Sequence, residues 1–170
     1  MLKKPCFLLL AISIIYIHPV AFATASHPIL LKKYSELLNA INQGDEVKAI
    51  IDHSKCTPLP NAPIEQLIAG ISFNQFIQLK FTNEKPYTAA SHHALINHRL
   101  YGYVYDYSVV RIHDDDSVEI AQQFLNPKDF SPATDKNQTL TAPENKYICN
   151  LSNGNDNNGV KLYDLSSTSL

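Results

Sequence analysis

Three histidines in close order, His92, His93 and His98, lie in a chain that also carries His53, His113 and the acidic run Asp114-Asp115-Asp116. These are residue types that ligate metal ions. On an extended strand His92 and His98 share a face while His93 points the other way. Their six-residue spacing separates the first two by about 20 Å, so one ion could hold both only if the chain turns at Asn97-His98-Arg99. The expectation is surface or partly buried histidines, with no metal and no cofactor.

Hydrolytic chemistry has weaker support. Ser54 follows Asp52-His53 directly, and Ser91 precedes His92, but the members of a catalytic triad converge from separate parts of a fold. The sequence contains no G-x-S-x-G elbow and only five glycines, so strained nucleophile turns are scarce. Paired carboxylates of the glycosidase type would have to come from Asp114, Asp115 and Asp116, which read more naturally as a solvated hairpin tip. No catalytic residue is assigned, and the chain leans away from being an enzyme.

Tyr101, Tyr103, Tyr105 and Tyr107 alternate along one candidate strand, with Gly102, Val104 and Asp106 between them. The alternation puts four phenol rings on one face. A flat apolar ring with a hydrogen-bonding tip suits recognition of a sugar, a lipid edge or a partner protein. The competing expectation places the rings over the core beneath a helix or inside a curled sheet. Asp106 faces the other way, and an inward carboxylate in mid-strand needs a partner such as Arg111 or Lys55.

The context for any such surface is set by the N-terminus. Lys3 and Lys4 precede an apolar run over residues 7–17, followed by His18-Pro19 and then Ala21-Phe22-Ala23. This is the layout of a cleavable signal peptide over residues 1–23. The run is too short to span a bilayer, and Cys6 precedes it, where a lipid-modified cysteine would follow. Cleavage removes Lys3 and Lys4, leaving 12 basic against 16 acidic residues, so the formal charge moves from −2 to −4. An acidic chain without a basic run is a poor nucleic-acid binder. Cleavage also removes Cys6, and the remaining pair, Cys56 and Cys149, is expected to form a disulfide in an oxidising compartment.

After a loose leader over 24–29, residues 30–165 are expected to form one domain, with 166–170 as a tail. Leu31, Tyr34, Leu37, Leu38 and Ile41 recur at helical spacing, Ser35 could cap a late start, and Gly44 supplies a stop. A β-prone run over 47–51 follows, then the prolines Pro58, Pro60 and Pro63. From Ile64 the apolar period is mostly two, with longer candidate strands over 87–96 and 101–112 and another through Val118, Ile120 and Phe124. Residues 126–145 read as a long loop, and 147–151 with 160–165 as a closing hairpin. The expected fold is α+β: an N-terminal amphipathic helix packed on a curled, mostly antiparallel sheet or partly closed barrel.

Five stretches, in order, resemble the VirK family of exported bacterial proteins, named from virulence regions and distinct from the enterobacterial proteins sharing that label. They are Tyr34-Ser35-Glu36-Leu37 with Gly44; Ile51-Asp52-His53-Ser54-Lys55-Cys56; Tyr101-Gly102-Tyr103-Val104-Tyr105-Asp106-Tyr107; Ser117-Val118-Glu119-Ile120 with Phe124-Leu125-Asn126-Pro127; and Tyr147-Ile148-Cys149. One departure is the turn before Ser117, where the family pattern has Asp-Gly and this chain has Asp115-Asp116. Asp reaches positive φ at a cost that Gly avoids, so the turn is expected to be longer than two residues.

The resemblance implies export through the signal-peptidase machinery and an association with virulence, and defines no activity. It tilts the destination to full secretion, type II secretion being the expected route, with the periplasm as the alternative. The expected function is a secreted, non-enzymatic binding protein for a host or envelope protein, glycan or lipid, using the tyrosine face or the long loop. The alternative is a secreted small hydrolase whose site is not legible.

Overall fold

A computed structural model describes residues 27–60, 67–80 and 85–166. The signal peptide, the first half of the leader, Ile64, Phe81 and most of the tail lie outside the described residues. The elements in order are β1 (Ile29–Leu31), α1 (Tyr34–Gln43), β2 (Val47–Asp52), a 3-10 turn (His53–Lys55), β3 (Thr57–Pro58), β4 (Ile68–Ser72), β5 (Phe76–Leu79), β6 (Tyr87–His98), β7 (Gly102–His113), β8 (Ser117–Leu125), β9 (Asn145–Asn150) and β10 (Val160–Asp164).

The strands form two antiparallel sheets, ordered β1-β10-β2-β4 and β3-β9-β8-β7-β6-β5. This corrects the α+β expectation of one helix on a single curled sheet or partly closed barrel: the chain is mostly β, and neither sheet closes on itself. Both sheets share one apolar core. The four-stranded sheet contributes Val47, Ala49, Ile51, Ile71, Val160 and Leu162; the six-stranded sheet contributes Val110, Ile112, Val118, Ile120, Tyr147 and Cys149. Helix α1 adds Tyr34, Leu37, Ala40 and Ile41 to that core, so it fills one side of the space between the sheets.

The helix follows its apolar spacing but starts later than Leu31, which pairs with Leu162 in β1. Its first turn is not capped by Ser35. The backbone N–H of Tyr34 donates to Asp116 Oδ1 at 2.7 Å, from a turn 82 residues away, and Glu36 accepts from the Lys32 N–H. Gly44 ends the helix at φ 85°.

The expected closing hairpin does not form. Strand β9 pairs with β8 and β3 in the six-stranded sheet, while β10 pairs with β1 and β2 in the other. The connection between them crosses from sheet to sheet, and the early strands β1 and β2 hold the late one between them. The Cys56–Cys149 disulfide closes a sequence separation of 93 beside this crossing and ties the end of the 3-10 turn to β9. Gly159 passes directly over it: a Cβ there would lie 2.8 Å from Cys56 Sγ and 2.9 Å from the Asp52 carbonyl. Any larger residue would collide with backbone as well as sulfur.

Strands β6 and β7 make the long hairpin that carries the candidate site. They pair without interruption from Tyr87 opposite His113 to His98 opposite Gly102. The turn between β7 and β8 takes three residues, one more than a two-residue hairpin, with Asp116 at φ 64° and its N–H on the His113 carbonyl. Among the described residues no helix is long and apolar enough to cross a membrane.

Candidate functional site

The long hairpin has two chemically different faces. Its inner face, through Val104, Val110 and Ile112, looks into the protein. Its outer face carries Tyr103, Tyr105 and Tyr107 on β7, cross-strand from Asn97, Leu95 and His93 on β6. Tyr103 is 70 % exposed, Leu95 57 % and Tyr107 38 %. Tyr105 is partly covered by Phe130 from the long loop, their rings parallel within 5° at 5.6 Å, and His93 stands edge-on to it at 5.9 Å. Phe130 is itself exposed.

Tyr101 does not join this row. It lies in the turn before β7, and Gly102, at φ 73°, reverses the chain there. Its ring stacks on His98 at 4.8 Å and packs with Phe124 and Val104 in a small second core, which Ala133 and Ala142 of the long loop complete. The three remaining tyrosines cover neither the helix nor a curled interior. They are on the sheet's outer side.

Along the outer face away from the tyrosines, Lys85, Tyr87, Arg111, His113, Glu119 and Lys146 line an open hollow of about 510 Å³. Arg111 pairs with Glu119 at 3.2 Å and lies over the Tyr87 ring, and Lys146 pairs with Glu144 at 3.2 Å. Lys85 bridges to Asp115 and, with Ser117, holds that carboxyl well below the ordinary carboxylate range. Each of the three cations is already matched by a carboxylate.

The inner face holds a polar seam between the main core and the small one. Asp106 accepts two hydrogen bonds from Gln122 Nε2, at 3.0 and 3.2 Å, and one from the Ser108 hydroxyl at 3.4 Å. Its partners are therefore neither Arg111, which pairs with Glu119, nor Lys55, which pairs with Asp52 at 3.3 Å. Ser108, Gln122 and Asn145 are direct cross-strand neighbours. His53 joins from the 3-10 turn, edge-on to Tyr147 at 4.8 Å. Burial holds its imidazole below the ordinary histidine range, while the Asp106 and Asp52 carboxylates pull the other way. Gln122 Oε1, Asn145 Oδ1 and His53 Nδ1 are buried without a hydrogen-bond partner. An acceptor-only carboxylate fixes the Gln122 amide with its NH₂ toward Asp106, so its oxygen must face away.

The sequence reading found Asp106 and missed the rest of the seam. The available signal was the polar Gln122 sitting in phase with apolar Val118, Ile120 and Phe124. Leu95 and Phe130 were also missed, because nothing local distinguishes an exposed apolar residue from a buried one.

The other candidates stay apart. His92 is exposed on the inner face opposite Ser108, His93 is on the outer face, and His98 is at the hairpin tip, where its Nδ1 accepts from the Leu100 and Tyr101 N–H groups at 3.2 and 3.4 Å. No cluster of metal-ligating residues occurs among the described residues. Ser54 donates to Asp52 at 2.6 Å and Ser108 to Asp106. No serine hydroxyl meets an imidazole among the described residues.

Comparison with known proteins gives a consistent result. A search of curated proteins returned no match. The chain is similar in fold to the crystal structure of a VirK family protein from Legionella pneumophila, with a TM-score of 0.59 and 16 % sequence identity, over 79 % of this chain and 98 % of that one. The family model for VirK protein matches residues 30–130, which include α1, both strands of the long hairpin and all four tyrosines. With more than half of its length matched in this way, the chain belongs to the VirK family.

Proposed function

We propose that the mature protein is an exported, non-enzymatic binding protein that engages a host or envelope component through the outer face of its long hairpin, at Tyr103, Tyr105 and Tyr107 with Leu95 and Phe130. Family membership suggests an association with virulence and names no reaction. The observation that carries the reading is the exposure of aromatic and apolar side chains that neighbour one another on the outer face of the sheet. Tyrosine and phenylalanine bring large contact area for little lost side-chain freedom, and their flat faces suit sugar rings or an apolar protein surface. The disulfide and the lack of a membrane-spanning helix among the described residues are compatible with export. The hydrolase alternative has less support, because of its two candidate serines Ser54 donates to the Asp52 carboxylate rather than to a base, and Ser91 stands opposite Val109 on the outer face of β6.

The test is capture of a solubilised host-surface fraction, and of an immobilised oligosaccharide panel, by purified mature protein. The double substitution Tyr103→Ala and Tyr105→Ala should reduce capture at least about tenfold, the loss of a hot-spot ring being worth roughly 2 kcal/mol. Phe at both positions should retain most of it. His92→Ala, on the opposite face, should leave it intact. Undiminished capture by the double alanine variant rejects the tyrosine face as the binding surface.

A further inference from the structure

We infer that two copies of this protein associate edge to edge through β6, in antiparallel register about a two-fold axis at Leu95, joining their six-stranded sheets into one. The starting observation is a mismatch of strand lengths. Strand β5 pairs with β6 only from Phe76 opposite Ala90 to Leu79 opposite Tyr87. Strand β6 runs on to His98, and among the described residues, 91–98 pair with β7 alone. In an extended strand, alternate residues direct both backbone groups to the same side, so this segment presents a row of amide donors and carbonyl acceptors outward.

Sheet edges are usually protected by charge, proline, bulges or shortness. This one has none of these. The segment Ser91-His92-His93-Ala94-Leu95-Ile96-Asn97-His98 contains no Pro, Lys, Arg, Asp or Glu, and its pairing with β7 shows no bulge. The opposite edge of the same sheet, β3, is two residues long.

The sequence of the segment fits a second copy of itself. A two-fold axis perpendicular to the sheet keeps outer face with outer face, so opposed residues must both be odd or both be even in number. Placing Leu95 opposite Leu95 of the second copy covers a side chain that is 57 % exposed. The same register sets His93 opposite Asn97, His92 opposite His98 and Ala94 opposite Ile96, with no charged pair opposed at neutral pH. The second copy's hairpin turn, 99–101, then arrives where β5 ends. There, Phe76, Ile77, Ala89, Ala90, Tyr107 and Val109 line an apolar hollow of about 280 Å³. Leu100, at the turn, is 51 % exposed, and the symmetry offers each Leu100 the other copy's hollow. The outer tyrosines of the two copies become neighbours across one continuous sheet. The association does not depend on the binding role of those tyrosines.

Sedimentation velocity of the disulfide-intact mature protein, without any ligand, tests this. Wild type should form a concentration-dependent dimer with Kd at or below about 100 μM, the range of modest interfaces. Leu95→Lys and Leu95→Glu should each weaken it at least tenfold, and mixing the two in equal amounts should restore a dimer, because Lys and Glu then face each other on the axis. Leu100→Asp should weaken it as well. Ile68→Lys, at a more exposed apolar site on the edge strand of the other sheet, should leave it unchanged. A wild-type monomer above about 100 μM, or a dimer indifferent to both Leu95 substitutions, overturns the inference. A mixture that stays monomeric overturns the register.

Discussion

The two halves of the β6–β7 hairpin have the same backbone and opposite fates. In the near half, Ala90, Val110 and Ile112 are buried in a core shared with the helix and the second sheet, and β5 covers the edge. In the far half, Val104 belongs to a small cluster covered by the long loop, the edge beyond Ala90 has no strand partner among the described residues, and Leu95, Tyr103 and Phe130 face solvent. The seam of Asp106, Gln122, Asn145 and His53 lies where one regime gives way to the other. The near half is packed into the shared core, and the far half leaves aromatic and apolar side chains exposed. A long hairpin lets one element enter both surroundings, because the ladders of β6 to β7 and of β7 to β8 carry it beyond the shared core.

The comparison predicts where substitutions hurt. The largest effect belongs to the disulfide that braces the near half. Replacing Cys56 and Cys149 by Ser should cost about 4–5 kcal/mol, the chain-entropy value for so long a loop, measured by urea unfolding monitored at equilibrium. A loss below about 1 kcal/mol would mean that the sheet crossing is held by the packing of Gly159 and its neighbours alone.

Next comes the contrast between the halves themselves. Ile120→Ala deletes a fully buried side chain from the shared core and should cost about 2–5 kcal/mol. Leu95→Ala, in the far half, should change monomer stability by no more than about 0.5 kcal/mol. Amide exchange should follow the same division, with residues 91–98 exchanging by local opening and 109–112 only near global unfolding. Equal costs at the two sites would erase the distinction.

How much of this was readable in the chain depended on whether the determining interaction was local. Helix α1, the long strands and the turn at 114–116 follow from periodicity and turn chemistry within a few residues. The common face of Val118, Ile120 and Phe124 was equally plain. The division into two sheets was not, because it rests on β10 inserting between β1 and β2, and no residue in 160–164 records its partners. The helix cap failed for the same reason: Asp116 supplies it from across the fold. For the candidate site, alternation correctly placed Tyr103, Tyr105 and Tyr107 together and wrongly added Tyr101, since the rule holds only inside the strand and Gly102 breaks it. Which face is wet depends on what packs over the other one, and a period of two gives no information on that. The disulfide was legible from cysteine count and compartment, and the structure contains it.

The smallest predicted effect concerns the seam between the halves. Burial is the main cause that holds the His53 imidazole below its ordinary value of 6.5, against the pull of Asp106 and Asp52. The unfolded chain therefore binds the proton more readily than the folded one, and stability must fall as pH drops below about 6.5 and the lost protonation difference accumulates. His53→Phe keeps an aromatic ring against Tyr147 and removes the titration. Unfolding midpoints of wild type should decline between pH 7 and 5 more steeply than those of the variant, by less than either core substitution changes them. Identical slopes would remove His53 as the source of acid sensitivity in this window, because the lowered carboxylates, Asp52 and Asp115 among them, keep their stabilising effect until the pH falls below their unfolded values near 4. The pH at which the two curves part thus tells whether one buried histidine or the surface carboxylates first weaken the fold on acidification.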